Sequence, residues 1–233
     1  MIVVHGFAPM PPLPSPSPFC IKMETWLRMA QFAYQARADY SPLSAPKGKA
    51  PYVTLEDGTV VADTHYIVQA LSKRPAVTLD RWLGPRERAT TTLVQRTVED
   101  HLYFVLLYQR WMLPDGFRRV RSLYFAHMGA PARWVVPYLA RRSVAAAVRG
   151  QGVARHTVDE MIASAIEDFD ALVQVLGDRA YFCGDRPSTA DAVAYGGLAS
   201  IHLAPFPGPL QDAMRARPTL VRFVERIRER YWP

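Results

Sequence analysis

The sequence predicts an α/β domain of about 72 residues joined to an all-α domain that fills the rest of the 233-residue chain. Three observations predict it. Residues 2–4 are a β-branched run fit for a buried strand, and the chain up to residue 72 alternates strand-like and helix-like patterns. Residues 75–85 open and close on proline, as a linker does. Beyond them apolar residues recur at helical spacing almost throughout. The expected domains are 1–74 and 86–233, with 75–85 between them.

Taken in order, the first strand leads into a loop with six prolines from Pro9 to Pro18, stiff enough to form a wall. Phe19, Met23, Leu27 and Ala30 then step at four, four and three, which makes a helix with Ser17 as its N-cap and Pro18 at its first position, where a missing N–H costs nothing. Residues 32–39 offer a weak second strand, and 41–49 form a loop rich in Pro, Gly, Ser and Lys. Residues 52–56 and 59–61 flank Asp57-Gly58, a two-residue hairpin signal because both tolerate positive φ. Asp63 can cap a helix over 64–71.

In the second domain, Leu93 or Val94, Val98, Leu102, Val105, Gln109 and Met112 mark one long helix from Arg86, interrupted only at Pro114. A further helix spans 158–176 and stops near Gly177. Others are expected near 118–126, 133–148, 188–203, 208–216 and 218–231. Ser188 and Asp191 have capping-box spacing, so Asp191 reads as a helix cap and not as a catalytic carboxylate.

Composition excludes several classes. Nearly half the residues are apolar, at 49%, so the chain is globular. The N-terminal apolar run is too short for a signal peptide and no stretch matches a membrane span, which places the protein in the cytoplasm. Cys20 and Cys183 are far apart and lack metal spacing, which argues against a disulfide framework and against any metal site. The net charge of +7 is concentrated. Between Gly116 and Val158 there is no acidic residue, but there are eight arginines, namely 118, 119, 121, 133, 141, 142, 149 and 155. Such a segment attracts an anionic membrane surface or an acidic small molecule, or is a solvated helix face; no nucleic-acid motif accompanies it, so no nucleic-acid partner is expected.

Chemistry concentrates at Ser17-Pro18-Phe19-Cys20. The amide donors and positive dipole end of the following helix face whatever lies beside Ser17, and an anion such as a thiolate is favoured there. Capping alone is the plainer role for Ser17. Cys20, a turn inside the helix, is expected to face the core; exposed and acidified, it would instead support thiol–disulfide exchange.

These motifs together resemble the cytosolic glutathione transferase superfamily, and within it the bacterial relatives of the failed-axon-connections proteins, themselves related to metaxins. The resemblance rests on residues 17–29 and 99–111, on Ala50-Pro51 and Asp63-Thr64, and on the Gly184–Asp191 segment, which carries the superfamily's helix signature. It implies a thioredoxin-like first domain, a helical-bundle second domain, a two-fold homodimer, and glutathione as co-substrate. Ser17 would donate a hydrogen bond to the glutathione sulfur. A charge-assisted hydrogen bond of about 1.5–3 kcal/mol and a helix terminus of about 0.3–1 kcal/mol lower a thiol pKa by roughly 1–3 units, enough to ionise much of it at neutral pH. Ala50 and Pro51 would form the cis-proline turn that pairs with the cysteinyl backbone. Asp63 and Thr64 would take the γ-glutamyl end, and Lys47 and Lys49 the glycyl carboxylate. Tyr103, Tyr108, Arg110 and Trp111 would line the pocket of a small electrophilic second substrate. The proline-rich insertion, and Asp-Thr where Glu-Ser or Asp-Ser is commoner, depart from the pattern. The expected activity is glutathione transfer to an electrophile. The alternatives are thiol exchange at Cys20 and a non-catalytic scaffold docking on a membrane surface or a partner protein.

Overall fold

The computed structural model describes residues 1–233. Its first part is a four-stranded mixed sheet of the thioredoxin-like kind. β1 (Ile2–His5) lies between β2 (Tyr34–Arg37), which it pairs in parallel, and β3 (Tyr52–Thr54), which it pairs antiparallel; β4 (Val60–Ala62) closes the order β2-β1-β3-β4. Ile2, Val4 and Val53 are buried, so the alternation of the strands sets the core face. β3 is two residues shorter than predicted, and β4 begins one residue later. Gly58, at φ +85°, donates to the Leu55 carbonyl and Thr59 N–H is held by the Asp57 carboxylate at 2.9 Å, so the turn consumes residues 55–59.

The sheet packs on α1 (Pro18–Met29) and on α2 (Thr64–Ser72). The apolar spacing that predicted α1 describes one face, yet nine of its twelve residues are buried. The reason is tertiary. On the side away from the sheet, α1 packs along α8 (Thr189–His202), which is itself buried over nearly its whole length. Gly196 and Gly197 allow that approach: a Cβ at Gly196 would stand 2.6 Å from the Pro18 carbonyl oxygen, and one at Gly197 would stand 2.4 Å from Val98 Cγ1. The two parts of the molecule thus share one hydrophobic core.

The predicted long helix is a rod with a fault. α3 (Pro85–Arg96) continues through a π-helical turn (Thr97–Leu102) into α4 (Tyr103–Trp111). Of the two apolar residues that could start the inward face, Val94 is buried and Leu93 is 68% exposed. Pro114 then starts a new helix, α5 (Pro114–Tyr124), where it sits at the first position. α6 (Ala132–Gln151), α7 (Val158–Leu176), α9 (Pro209–Arg215) and α10 (Pro218–Tyr231) complete the helical part, with a single 3-10 turn at Val153–Arg155. No helix is long and apolar enough to cross a membrane.

Candidate functional site

The N-terminus of α1 is built as the sequence predicts. Ser17 is extended, at φ −94° and ψ 121°, and its hydroxyl oxygen accepts the Cys20 N–H at 3.4 Å. Ser17 N–H is held by the buried Ser15 hydroxyl at 3.2 Å. No acidic residue occupies the first turn of α1, so the positive end of the helix meets no negative charge from its own sequence.

Two further segments carry the other predicted glutathione-binding residues. The Ala50-Pro51 peptide is cis, at the start of β3. Asp63 caps α2 by accepting the His65 N–H at 2.9 Å, and holds a positive φ of 79°. Lys47 is exposed but leans on α2, with Nζ 4.4 Å from the centre of the Tyr66 ring; Lys49 is exposed.

Thr64 is different. It is buried, and its hydroxyl accepts from Lys22 Nζ at 2.9 Å. Lys22 projects from α1, is 2% exposed, and pairs with Glu99 at 2.5 Å; the second Glu99 oxygen accepts from Gln95 at 2.8 Å. Glu99 stands on the π-helical turn, a distortion that recurs at functional sites. A buried ion pair therefore joins the hydroxyl of α2 to the helical domain through α1. Sequence reasoning missed it. The only signals were a lysine and a glutamate inside the two motif runs, with nothing to say that they meet.

Of the four residues expected on the second-substrate wall, Tyr103 lines a small cavity. It packs edge-on against Phe19, ring centres 4.9 Å apart, and Lys22 and Glu99 line the same cavity. That cavity measures about 10 Å³, room for roughly one water. Burial pushes the Tyr103 phenol up to about 12, so it stays protonated. Tyr108 is half-buried and packs on the core. Arg110 and Trp111 are placed elsewhere than expected. Arg110, 3% exposed, donates to the Pro16 carbonyl at 2.9 Å and to the Ser200 carbonyl at 2.5 Å, clamping the proline loop just before Ser17. Trp111 is buried among Phe117, Tyr124 and Phe125.

Both cysteines are buried and free. Desolvation pushes the Cys20 thiol up to about 11; the hydroxyls of Ser17 and Ser15 pull it down, less strongly. Cys183 contacts Thr91 at 3.5 Å and is likewise raised by burial. Ser188 and Asp191 form a closed cap at the start of α8, described below.

A second polar cavity, about 220 Å³, is lined by His101, Gln151, His156, Glu160 and Ser164 among others. His101 bridges Asp168 on one ring nitrogen and the Ser164 hydroxyl, at 3.3 Å, on the other, and the Asp168 carboxylate raises the His101 pKa. The order of groups is that of a nucleophile, a base and an orienting acid. Ser164, however, lies inside α7, where amides bond carbonyls four residues back and leave no donor for a developing oxyanion. The trio ties α7 to the π-helical turn.

A thioredoxin-like sheet, a helical domain stacked on its first helix, and a half-buried serine capping that helix define a two-domain class. The family model for the glutathione S-transferase N-terminal domain matches residues 18–116, and that for the C-terminal domain matches residues 165–227. The isoprene-epoxide–glutathione S-transferase of Rhodococcus sp. (strain AD45) is 30% identical over 240 residues, covering 99% of each chain. The chain belongs to the glutathione S-transferase family. It is also related to the failed-axon-connections and metaxin branch. Failed axon connections of Drosophila melanogaster is 27% identical over 252 residues, and the alignment covers all of this chain but 58% of that protein. A metaxin-1 homologue of Caenorhabditis briggsae is 32% identical over 197 residues, 82% of this chain and 62% of that one. Among solved structures, a glutathione S-transferase from Rhodospirillum rubrum F11 superposes with a TM-score of 0.60 at 15% identity, covering 98% of this chain and 88% of that one. One from Methylobacterium radiotolerans, in complex with glutathione sulfonate, gives 0.58 at 17% identity, covering 98% and 91%. Both are likenesses of fold.

Proposed function

We propose that the protein binds reduced glutathione and transfers its thiolate to a small electrophile, an epoxide being the favoured class. One observation carries this reading: the Ser17 hydroxyl oxygen caps α1, 3.4 Å from Cys20 N, at a helix end with no acidic residue in its first turn. The epoxide is supported by the Rhodococcus relative, whose name specifies isoprene epoxide.

In the proposed mechanism the cysteinyl backbone pairs beside Ala50, and the γ-glutamyl end meets the N-terminus of α2 at Asp63 and Thr64. Lys22 and Glu99 supply one charge of each sign behind Thr64, matching the carboxylate and ammonium of that end. Lys47 and Lys49 face the glycyl carboxylate. The thiol gives its proton to solvent, and Ser17 and the dipole of α1 hold the thiolate. Sulfur attacks an epoxide carbon, the carbon–oxygen bond breaks, and the alkoxide takes a proton from water. Tyr103, kept protonated by burial, hydrogen-bonds the departing oxygen from that side without giving up its proton. Holding both reactants together adds to the rate beyond the pKa effect.

Thiol exchange at Cys20 is disfavoured, because a thiol buried and raised to about 11 is neither accessible nor ionised at neutral pH. A non-catalytic role has one specific observation in its favour, the closeness of Phe19 to Tyr103 across a cavity of only about 10 Å³. Calorimetry with glutathione and an epoxide-conjugation assay test the reading. Wild type should bind and conjugate, and Ser17→Ala should lose about ten- to a hundredfold in rate. Absence of glutathione binding by wild type would favour the non-catalytic role, and loss of activity in Cys20→Ser alone would favour exchange.

A further inference from the structure

We infer that the first half of α6 is a docking surface for an anionic lipid bilayer. Trp134, Val135, Tyr138 and Leu139 are 53%, 52%, 50% and 62% exposed. Positions i, i+1, i+4 and i+5 share one face of a helix, so four large apolar side chains stand together in water. An exposed apolar cluster of this kind marks an interaction site. The helix is anchored from its other side, where Pro137 and Val148 are buried.

Charge selects the occupant. Arg133, Arg142 and Arg149 are exposed along the same helix. Arg121 on α5 lies against the rings of Trp134 and Tyr138, at 5.7 and 5.5 Å from their centres, and Arg133 lies 5.0 Å from Trp134. The whole stretch from Gly116 to Val158 lacks a carboxylate side chain, and Asp115 at its edge is paired with Arg118 at 3.0 Å. A two-fold contact between copies of this face would set arginine against arginine with no acidic residue of the stretch to relieve it. Nucleic acid would engage the arginines but gives Val135 and Leu139 nothing to bury against. An anionic bilayer takes both sets. Trp134, Val135 and Leu139 enter the head-group and acyl boundary, Tyr138 sits at head-group level, and the guanidiniums meet lipid phosphates.

This inference is independent of the glutathione reading. The full chain is sedimented with sucrose-loaded vesicles of phosphatidylcholine alone and of phosphatidylcholine with phosphatidylglycerol, while tryptophan emission is followed. Binding is expected only to the anionic vesicles, weakening with salt, with a blue shift that Trp134→Phe removes. Trp134→Ala with Leu139→Ala should weaken binding about tenfold or more, and Arg133→Gln or Arg142→Gln about fivefold each. These side chains are exposed, so the variants should unfold at the wild-type temperature, and thermal unfolding verifies it. Failure to bind anionic vesicles overturns the proposal. So does binding that the apolar variants leave unchanged, which would mean charge attraction without insertion, or an α6-dependent dimer that forms without lipid. Capture by an acidic protein in place of vesicles would overturn it as well.

Discussion

Two helices in this molecule begin with a serine, and their ends are opposites. At α8 everything is closed. Asp191 is fully buried and accepts from Phe182 N–H, Ser188 N–H and the Ser188 hydroxyl, each at 2.8 Å, while Asp80 accepts from Thr189 N–H at 2.9 Å and the Thr189 hydroxyl at 2.5 Å. Two carboxylates thus answer the donors and the dipole there. At α1 the cap is one long hydrogen bond of 3.4 Å to a half-buried serine, the first residue is a proline, and the first turn carries no acid. The same residue type starts one helix whose end is closed by two carboxylates and one whose end is closed by a single weak cap.

The largest effect should come from the charge nearest the open end. Lys22→Met strands the buried Glu99 carboxylate and should cost about 3–5 kcal/mol of stability. Lys22→Met with Glu99→Leu removes both charges and should recover most of that loss in a denaturant titration. If the pair also reads the γ-glutamyl group, the double variant should bind glutathione more weakly than wild type despite its restored stability. At the closed end, Asp191→Ala orphans three donors and should cost about 3 kcal/mol or more, without changing conjugation per folded molecule. Retention of wild-type stability would mean that the closed end is not the structural one.

Asp191 also gives the comparison a pH signature. Burial outweighs its three hydrogen bonds and lifts its carboxyl from 3.8 to about 6. The folded state therefore holds that proton more tightly than the unfolded chain does. The resulting contribution to stability is complete below about 3.8 and is lost as pH rises through about 6. Comparing wild type with Asp191→Asn from pH 4 to pH 7 should show wild type losing on the order of 2–3 kcal/mol relative to the variant.

What could be read from sequence follows the range of the interactions. The caps at Ser17, Asp63 and Ser188 and the proline that starts β3 are local, and each depends on residues within a turn. The helical periods were equally legible, since one apolar face is enough to reveal them. The pairing of Lys22 with Glu99 spans 77 residues and depends on a π-helical turn whose extra residue no 3.6-residue period announces. Gly196-Gly197 carries no sequence signal of its own, yet it is what lets α8 meet α1 and Val98. Arg110 and Trp111 were expected in a pocket because one was placed against the long helix, mostly apolar with few polar groups. The break at Pro114 instead folds α5 back over that end of α4, and both residues are buried.

Smaller effects test the open end itself. Ser17→Ala removes a single weak cap, so its stability cost should stay within about 0.5–2 kcal/mol, while its effect on conjugation is larger. Asp191→Ala should show the reverse ratio, and equal ratios in the two variants would erase the distinction between the two ends. The least perturbing probe is Cys20, three residues from Ser17. Its sulfur is buried and its thiol stands at about 11, so native protein at pH 8 should resist alkylation by iodoacetamide and react only on unfolding. Cys20→Ala removes little volume beyond one sulfur and should leave conjugation unchanged, with a stability loss of roughly 1 kcal/mol. Rapid labelling of native Cys20 would place an accessible thiol beside Ser17, and the open end would then serve the chain's own sulfur instead of a bound one.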